Sequence, residues 1–242
     1  MDYVENKSSK TDKSFFYELI DLIDQEQQKA ISRRYYGSSS LISQAKRIYR
    51  NAFEREKADS ERKPGYQERD QERITNRIKR LDYSFDYRVD QAIFLDRLMT
   101  YKTFDTSLRR PTYSNLLGLD KSEKIILSKV DEIYSTKYKT SKNFLQMMNM
   151  SLNELNNSND PLIIFAKETF EESLKYEKEF EEIGAKRQLL KSKFIKLLKQ
   201  YYESLDKQMY ADANGTLRVT YGNVAGVSLN CLLYTSPSPR DA

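Results

Sequence analysis

Hydrophobic positions recur every three to four residues over most of this chain, and every two residues only near its end. The first spacing lines apolar side chains along one face of an α-helix, and the second along one face of a strand. Phe15, Phe16, Leu19, Ile20 and Ile23 predict a helix from Phe15 to Tyr36, stopped by Gly37. Ser38, Ser39 and Ser40 offer N-caps for a second helix with a buried stripe of Leu41, Ile42, Ala45, Ile48, Tyr49, Ala52 and Phe53. After the Pro64-Gly65 turn, helix resumes near Gln67 with Ile74, Ile78 and Leu81 inward, and another runs from about Tyr87 to Phe104. Pro111 and Gly118 bracket a short irregular connection, and Ser122 with Glu123 opens a helix through Tyr138. A methionine-bearing segment, Phe144–Met150, precedes a loop over Asn156, Asn157, Ser158 and Asn159. Asp160-Pro161 then starts the longest helix, which runs to about Lys207 with an irregularity at Gly184. The pattern is mainly α.

Near the end the period changes. Thr216-Leu217-Arg218-Val219-Thr220-Tyr221 alternates with period two between Gly215 and Gly222, the pattern of a strand. A lone strand has no stable partner, so the expectation is a chain cut just after it enters a second, β domain.

Composition narrows the chemistry. The 242 residues contain no His, no Trp and one Cys. Without imidazole the chain cannot build a Ser-His-Asp or Cys-His system, or a histidine-ligated metal centre, and one thiol cannot replace it. No metal, cofactor or catalytic residue is assigned. Lys and Arg number 41 against 36 Asp and Glu, a net charge of +5 that is mild for this length and gives no reason to expect nucleic-acid binding. No run of about 18 apolar residues suggests a membrane span, and MDYVENKSSK lacks the apolar centre of a signal peptide.

Two stretches carry a resemblance. Asp59-Ser60-Glu61-Arg62-Lys63-Pro64-Gly65-Tyr66-Gln67-Glu68-Arg69-Asp70, with Ser84-Phe85-Asp86 and Val89-Asp90 after it, resembles a turn-and-helix segment of bacterial serine dipeptidyl-peptidases of the dipeptidyl-peptidase 7 and 11 type. Tyr210-Ala211-Asp212-Ala213-Asn214-Gly215-Thr216-Leu217-Arg218-Val219-Thr220-Tyr221-Gly222 is similar to a strand of the same family, departing from it at Ala211 and Gly215. The resemblance implies a helical cap domain inserted in a chymotrypsin-like double β-barrel, of which only one strand is present here. It assigns residues 1–209 to the cap and 210–230 to the first strand of the returning barrel half. The family's His and Asp would lie upstream and its nucleophilic Ser downstream, so no catalytic or substrate-binding residue carries over. The resemblance also implies oligopeptide substrates with a free N-terminus, a homodimer, and a periplasmic or secreted full-length enzyme with a signal peptide.

Residues 231–242, from Cys231 to Ala242, look like an in-frame translation of a sequencing adapter, although Ser238–Ala242 also resembles a family segment. Other features have ordinary readings. The Pro64–Asp70 turn and Asp212 suit helix capping and turn chemistry. Met147, Met148 and Met150 suit core filling. The basic stretch 186–207 follows an acidic one, as on a solvated helix with separated charge. A rival reading makes that stretch the binding face of a self-contained helical scaffold for acidic partners.

Overall fold

The computed structural model describes residues 10–207 and two three-residue strands at 227–229 and 232–234. Its helices are α1 (Lys10–Tyr36), α2 (Ser40–Arg55), α3 (Gln71–Lys79), α4 (Leu81–Ser84), α5 (Tyr87–Lys102), α6 (Pro111–Leu117), α7 (Glu123–Tyr134), α8 (Ser141–Met148), α9 (Leu152–Asn156), α10 (Pro161–Glu168) and α11 (Phe170–Ser204). Single 3₁₀ turns occupy Asp59–Glu61, Glu68–Asp70 and Thr106–Leu108. The mainly-α expectation holds. The chain divides into two compact units, residues 1–194 and 195–242.

In the first unit α2 is the central element, packed by α10, α8, α9 and α5. Ser39 starts it by accepting the Ile42 N–H on its hydroxyl. Leu41, Ile42, Ala45, Ile48, Tyr49 and Ala52 are all buried, as their spacing required. Phe53, the last expected member of that stripe, is half-buried and meets Phe170 edge to face with ring centroids 4.9 Å apart. On α1 the inward row is Phe15, Leu19 and Leu22, whereas Ile23 faces solvent.

The buried carboxylate of Asp90 on α5 joins three elements. It accepts the Ser40 N–H at 2.7 Å, the Leu41 N–H at 3.2 Å, the Ser39 hydroxyl at 3.0 Å and the Tyr134 hydroxyl at 2.6 Å. It therefore satisfies donors that the first turn of α2 leaves free and ties α2 and α7 to α5.

Several expected boundaries are corrected. Pro111 and Gly118 bracket a helix, α6, because Pro is favoured at the first helical position and Gly just past the last one. Gly118 takes φ 65°, and the Leu119 N–H bonds back to Ser114 O at 2.9 Å, closing the helix. The helix after Asp160 is interrupted at Thr169, not at Gly184, which lies in continuous helix. The fully buried Thr169 hydroxyl donates to Phe165 O at 2.8 Å, the back-bonding that bends helices. Around residues 152–156 the structure forms the short helix α9, held by a Ser151–Glu154 capping box. Helix α7 ends at Tyr134, four residues early. There Thr136 turns to donate its hydroxyl to the Asp160 carboxylate that caps α10. Helix α3 begins at Gln71, after a 3₁₀ turn.

In the second unit, Asp206 with φ 52° ends the last helical turns, and the Lys207 N–H bonds to Tyr202 O at 3.0 Å. Strands β1 (Val227–Leu229) and β2 (Leu232–Tyr234) pair antiparallel, Val227 opposite Tyr234 and Leu229 opposite Leu232. The strand expected at Thr216–Tyr221 lies outside the described residues.

Candidate functional site

The Asp59–Asp70 motif folds into a turn whose polar side chains close on one another. Asp59 accepts the Glu68 N–H at 2.7 Å and Asp70 accepts the Gly65 N–H at 2.9 Å, with Gly65 at φ 99°. Such a positive φ favours glycine. Arg62 pairs with Asp59 and Glu68, Arg73 pairs with Asp70, and Lys63 reaches Glu177 and Glu181 on α11. The motif thus fastens a loop to α11, consistent with the structural role its residues suggested.

Beside this loop the buried Glu54 at the end of α2 takes Arg50 at 2.7 Å, Lys57 at 2.9 Å and the Lys63 N–H at 3.1 Å. Burial alone would push its carboxyl up. The Lys57 ammonium, the Lys63 N–H and Arg50 outweigh that and hold it below its ordinary value. The methionine segment is α8 and its exit. Met147 and Met148 are buried, and Met150 packs against the core. In the basic stretch, Lys186 and Arg187 are spent on Glu18 and Glu26 of α1. Asp212 lies outside the described residues.

A cavity of about 730 Å³ opens between α1, α2 and α11, lined by the motif's Tyr66 and by Arg110 and Tyr113. That volume is in the range of ligand pockets. Helix α1 contributes Arg33 and Tyr36, α2 contributes Lys46 and Arg47, and α11 contributes Phe170 and Tyr176. The cations of α1 and α2 share their cavity-facing sides with Ala30, Ser32, Ile42 and Ser43, and Arg110 reaches the cavity from the cap position of α6. Lys46, for example, follows Ile42 by one helical turn.

Arg110 is clamped between two rings, its guanidinium carbon 4.3 Å from the centroids of Tyr36 and Tyr176. The Arg110 backbone N–H donates to the Tyr101 hydroxyl at 2.8 Å, and the Tyr113 hydroxyl donates to Tyr36 O at 2.7 Å. These bonds fix the wall that carries the charge. Lys46 lies 5.9 Å from the Tyr113 centroid. Burial first, and then the nearby Arg110, push its ammonium down to about 8, against the pull of Glu172. Arg47 is lowered by burial and by Arg77 and Arg73. Glu172 accepts the Thr112 N–H at 2.7 Å on one oxygen, while its other oxygen is buried without a hydrogen-bond partner among the described residues.

The arrangement can bind but has no paired nucleophile and base. Ser32 and Ser173 on its walls give their hydroxyls to the carbonyls of Leu108 and Thr169. Among the described residues no group of three or more His, Cys, Asp or Glu could hold a metal ion. No helix among them is long and apolar enough to cross a membrane. Sequence reasoning named Asp90 only within the resembling Val89-Asp90 step, and missed its joining role, Glu54 and the cavity. The signal for Asp90 was a carboxylate within a helix one turn before Phe94 and two before Leu98 and its neighbours. Arg110 gave no signal beyond preceding Pro111.

Residues 4–239 match the Peptidase S46 family. Over 226 residues the chain is 31% identical to the Asp/Glu-specific dipeptidyl-peptidase of Shewanella putrefaciens, an alignment that takes in 91% of this chain and 31% of that protein. The chain therefore spans about a third of the length of the curated relative it matches. The family match includes the turn at Asp59–Asp70 and the stretch at Tyr210–Gly222 that carried the resemblance. Since the match takes in nearly every residue, the chain belongs to the peptidase S46 family.

Proposed function

We propose that this chain is the helical cap of a serine-type dipeptidyl-peptidase that releases dipeptides from oligopeptides with a free N-terminus. The observation that carries the reading is the family match over residues 4–239 of a mainly helical chain that contains no histidine. A serine peptidase of the triad type needs an imidazole to move the proton from the hydroxyl to the leaving amine. In this reading the His, Asp and Ser come from β-barrel halves of the full-length enzyme, and the helices bound the cleft and set the length of peptide it admits. Residues 1–209 are the cap, residues 210–230 begin the returning barrel half, and residues 231–242 carry the adapter-like translation, into which the family match extends as far as residue 239. The full-length enzyme acts as a homodimer in the periplasm or outside the cell and carries a signal peptide. The scaffold alternative is not favoured, because Lys186 and Arg187 of its basic face are already paired within the chain.

The purified chain tests the assignment. Incubated with unblocked oligopeptides it is expected to release no dipeptide, and a fluorophosphonate probe is expected to label no serine. Dipeptide release or a stoichiometrically labelled serine would place catalytic groups within these residues and overturn the cap reading.

A further inference from the structure

The cavity between α1, α2 and α11 holds more positive charge than the fold uses. Arg33, Lys46, Arg47 and Arg110 line it, and among the described residues none of the four has a carboxylate within salt-bridge distance. Three acids and two further cations also line it, Glu177, Glu179, Glu181, Lys29 and Arg50, and these are paired. Glu177 and Glu181 pair with Lys63, Glu177 also takes Arg50, and Glu179 pairs with Lys29. Glu172 is a further nearby carboxylate outside any ion pair among the described residues, and one of its oxygens accepts the Thr112 N–H. Four like charges gathered around a concave, partly desolvated space repel one another and oppose folding. Arg110 and Lys46 meet aromatic rings, but a fold that keeps the four there without carboxylate partners leaves their counter-charge to a ligand.

We propose that this cavity is an anion-binding site for a carboxylate-bearing ligand, with Lys46 and Arg110 gripping the carboxylate and Arg33 and Arg47 supplying the surrounding field. Two observations select the chemistry. Arg110 lines the cavity with its guanidinium 4.3 Å from the ring centroids of both Tyr36 and Tyr176, and a guanidinium is a planar fork of donors suited to a carboxylate. The cavity of about 730 Å³ is far larger than one oxyanion, and aromatic side chains make much of its wall. It therefore suits a carboxylate attached to an organic body better than inorganic phosphate. The carboxylate could belong to an acidic peptide or to a free dicarboxylate; the chemistry of recognition is shared.

The test is calorimetric binding to the intact chain, without turnover, so its failure leaves the peptidase proposal standing. The probes are an N-acetylated, C-amidated peptide containing Asp and Glu, its Asn/Gln counterpart, glutarate, and inorganic phosphate. Saturable binding of the acidic peptide or of glutarate, with the Asn/Gln peptide at least about tenfold weaker, is expected. Preference for one of the two identifies the source. Lys46→Met and Arg110→Gln should each weaken binding about tenfold or more, the loss of one charge-assisted hydrogen bond. Lys46→Met keeps the aliphatic stem and guards against a variant that merely misfolds, with circular dichroism as the control. Binding should also weaken as pH rises through about 8, as Lys46 loses its proton beside Arg110, Glu172 and Tyr113. Absence of carboxylate binding, binding of phosphate alone, or binding unchanged in the folded Lys46→Met chain would overturn the proposal.

Discussion

At the scale of single residues, the groups that matter most are charges that the fold has taken out of water. Glu54 is fully buried and survives as a carboxylate because Arg50, Lys57 and the Lys63 N–H surround it. Glu54→Gln leaves those donors facing a neutral amide and is expected to cost about 3 kcal/mol at pH 7 in urea denaturation. Because its folded-state value lies below the ordinary 4.5, the carboxylate's contribution is complete above about pH 4.5 and is lost as pH falls through the lowered value. The gap between the parent and the variant should therefore narrow in acid; a gap of constant size would show that shape rather than charge is at work. None of this was legible in the sequence. Glu54 looks like the first member of a polar run, and only the fold shows that it points inward.

At the scale of elements, periodicity carried the argument far and punctuation less so. The stripe on α2 was legible residue by residue, because a single buried face imposes a single spacing. Pro111 and Gly118 misled because the same two residues mark loops and helix ends, and seven residues are too few to show a period. The break at Thr169 was hidden because its cause is a side-chain hydrogen bond that pattern alone does not reveal. The joint between elements is Asp90. Asp90→Asn puts an amide donor where four donors already converge, and is expected to cost about 2–3 kcal/mol in thermal or urea unfolding. Amide exchange should quicken at Ser40 and Leu41 before it does so elsewhere in α2. Uniform exchange across the helix would argue against a capping role.

At the scale of the whole molecule, the absence of histidine takes on its meaning from the family. Composition excluded triad chemistry from these residues, and two motifs pointed to a peptidase family that the match then established. What the sequence could not reveal was the cationic cavity, since its walls come from residues as far apart as Arg33 and Tyr176. The measurement that bears most directly on the cap assignment is a chimera. Residues 4–230 of this chain would replace the aligned segment of the Shewanella putrefaciens dipeptidyl-peptidase, with products read by mass spectrometry on an unblocked oligopeptide. The cap assignment predicts a folded chimera that still releases dipeptides, two residues at a time. A chimera that folds, by circular dichroism and a cooperative unfolding transition, yet releases no dipeptide would contradict it.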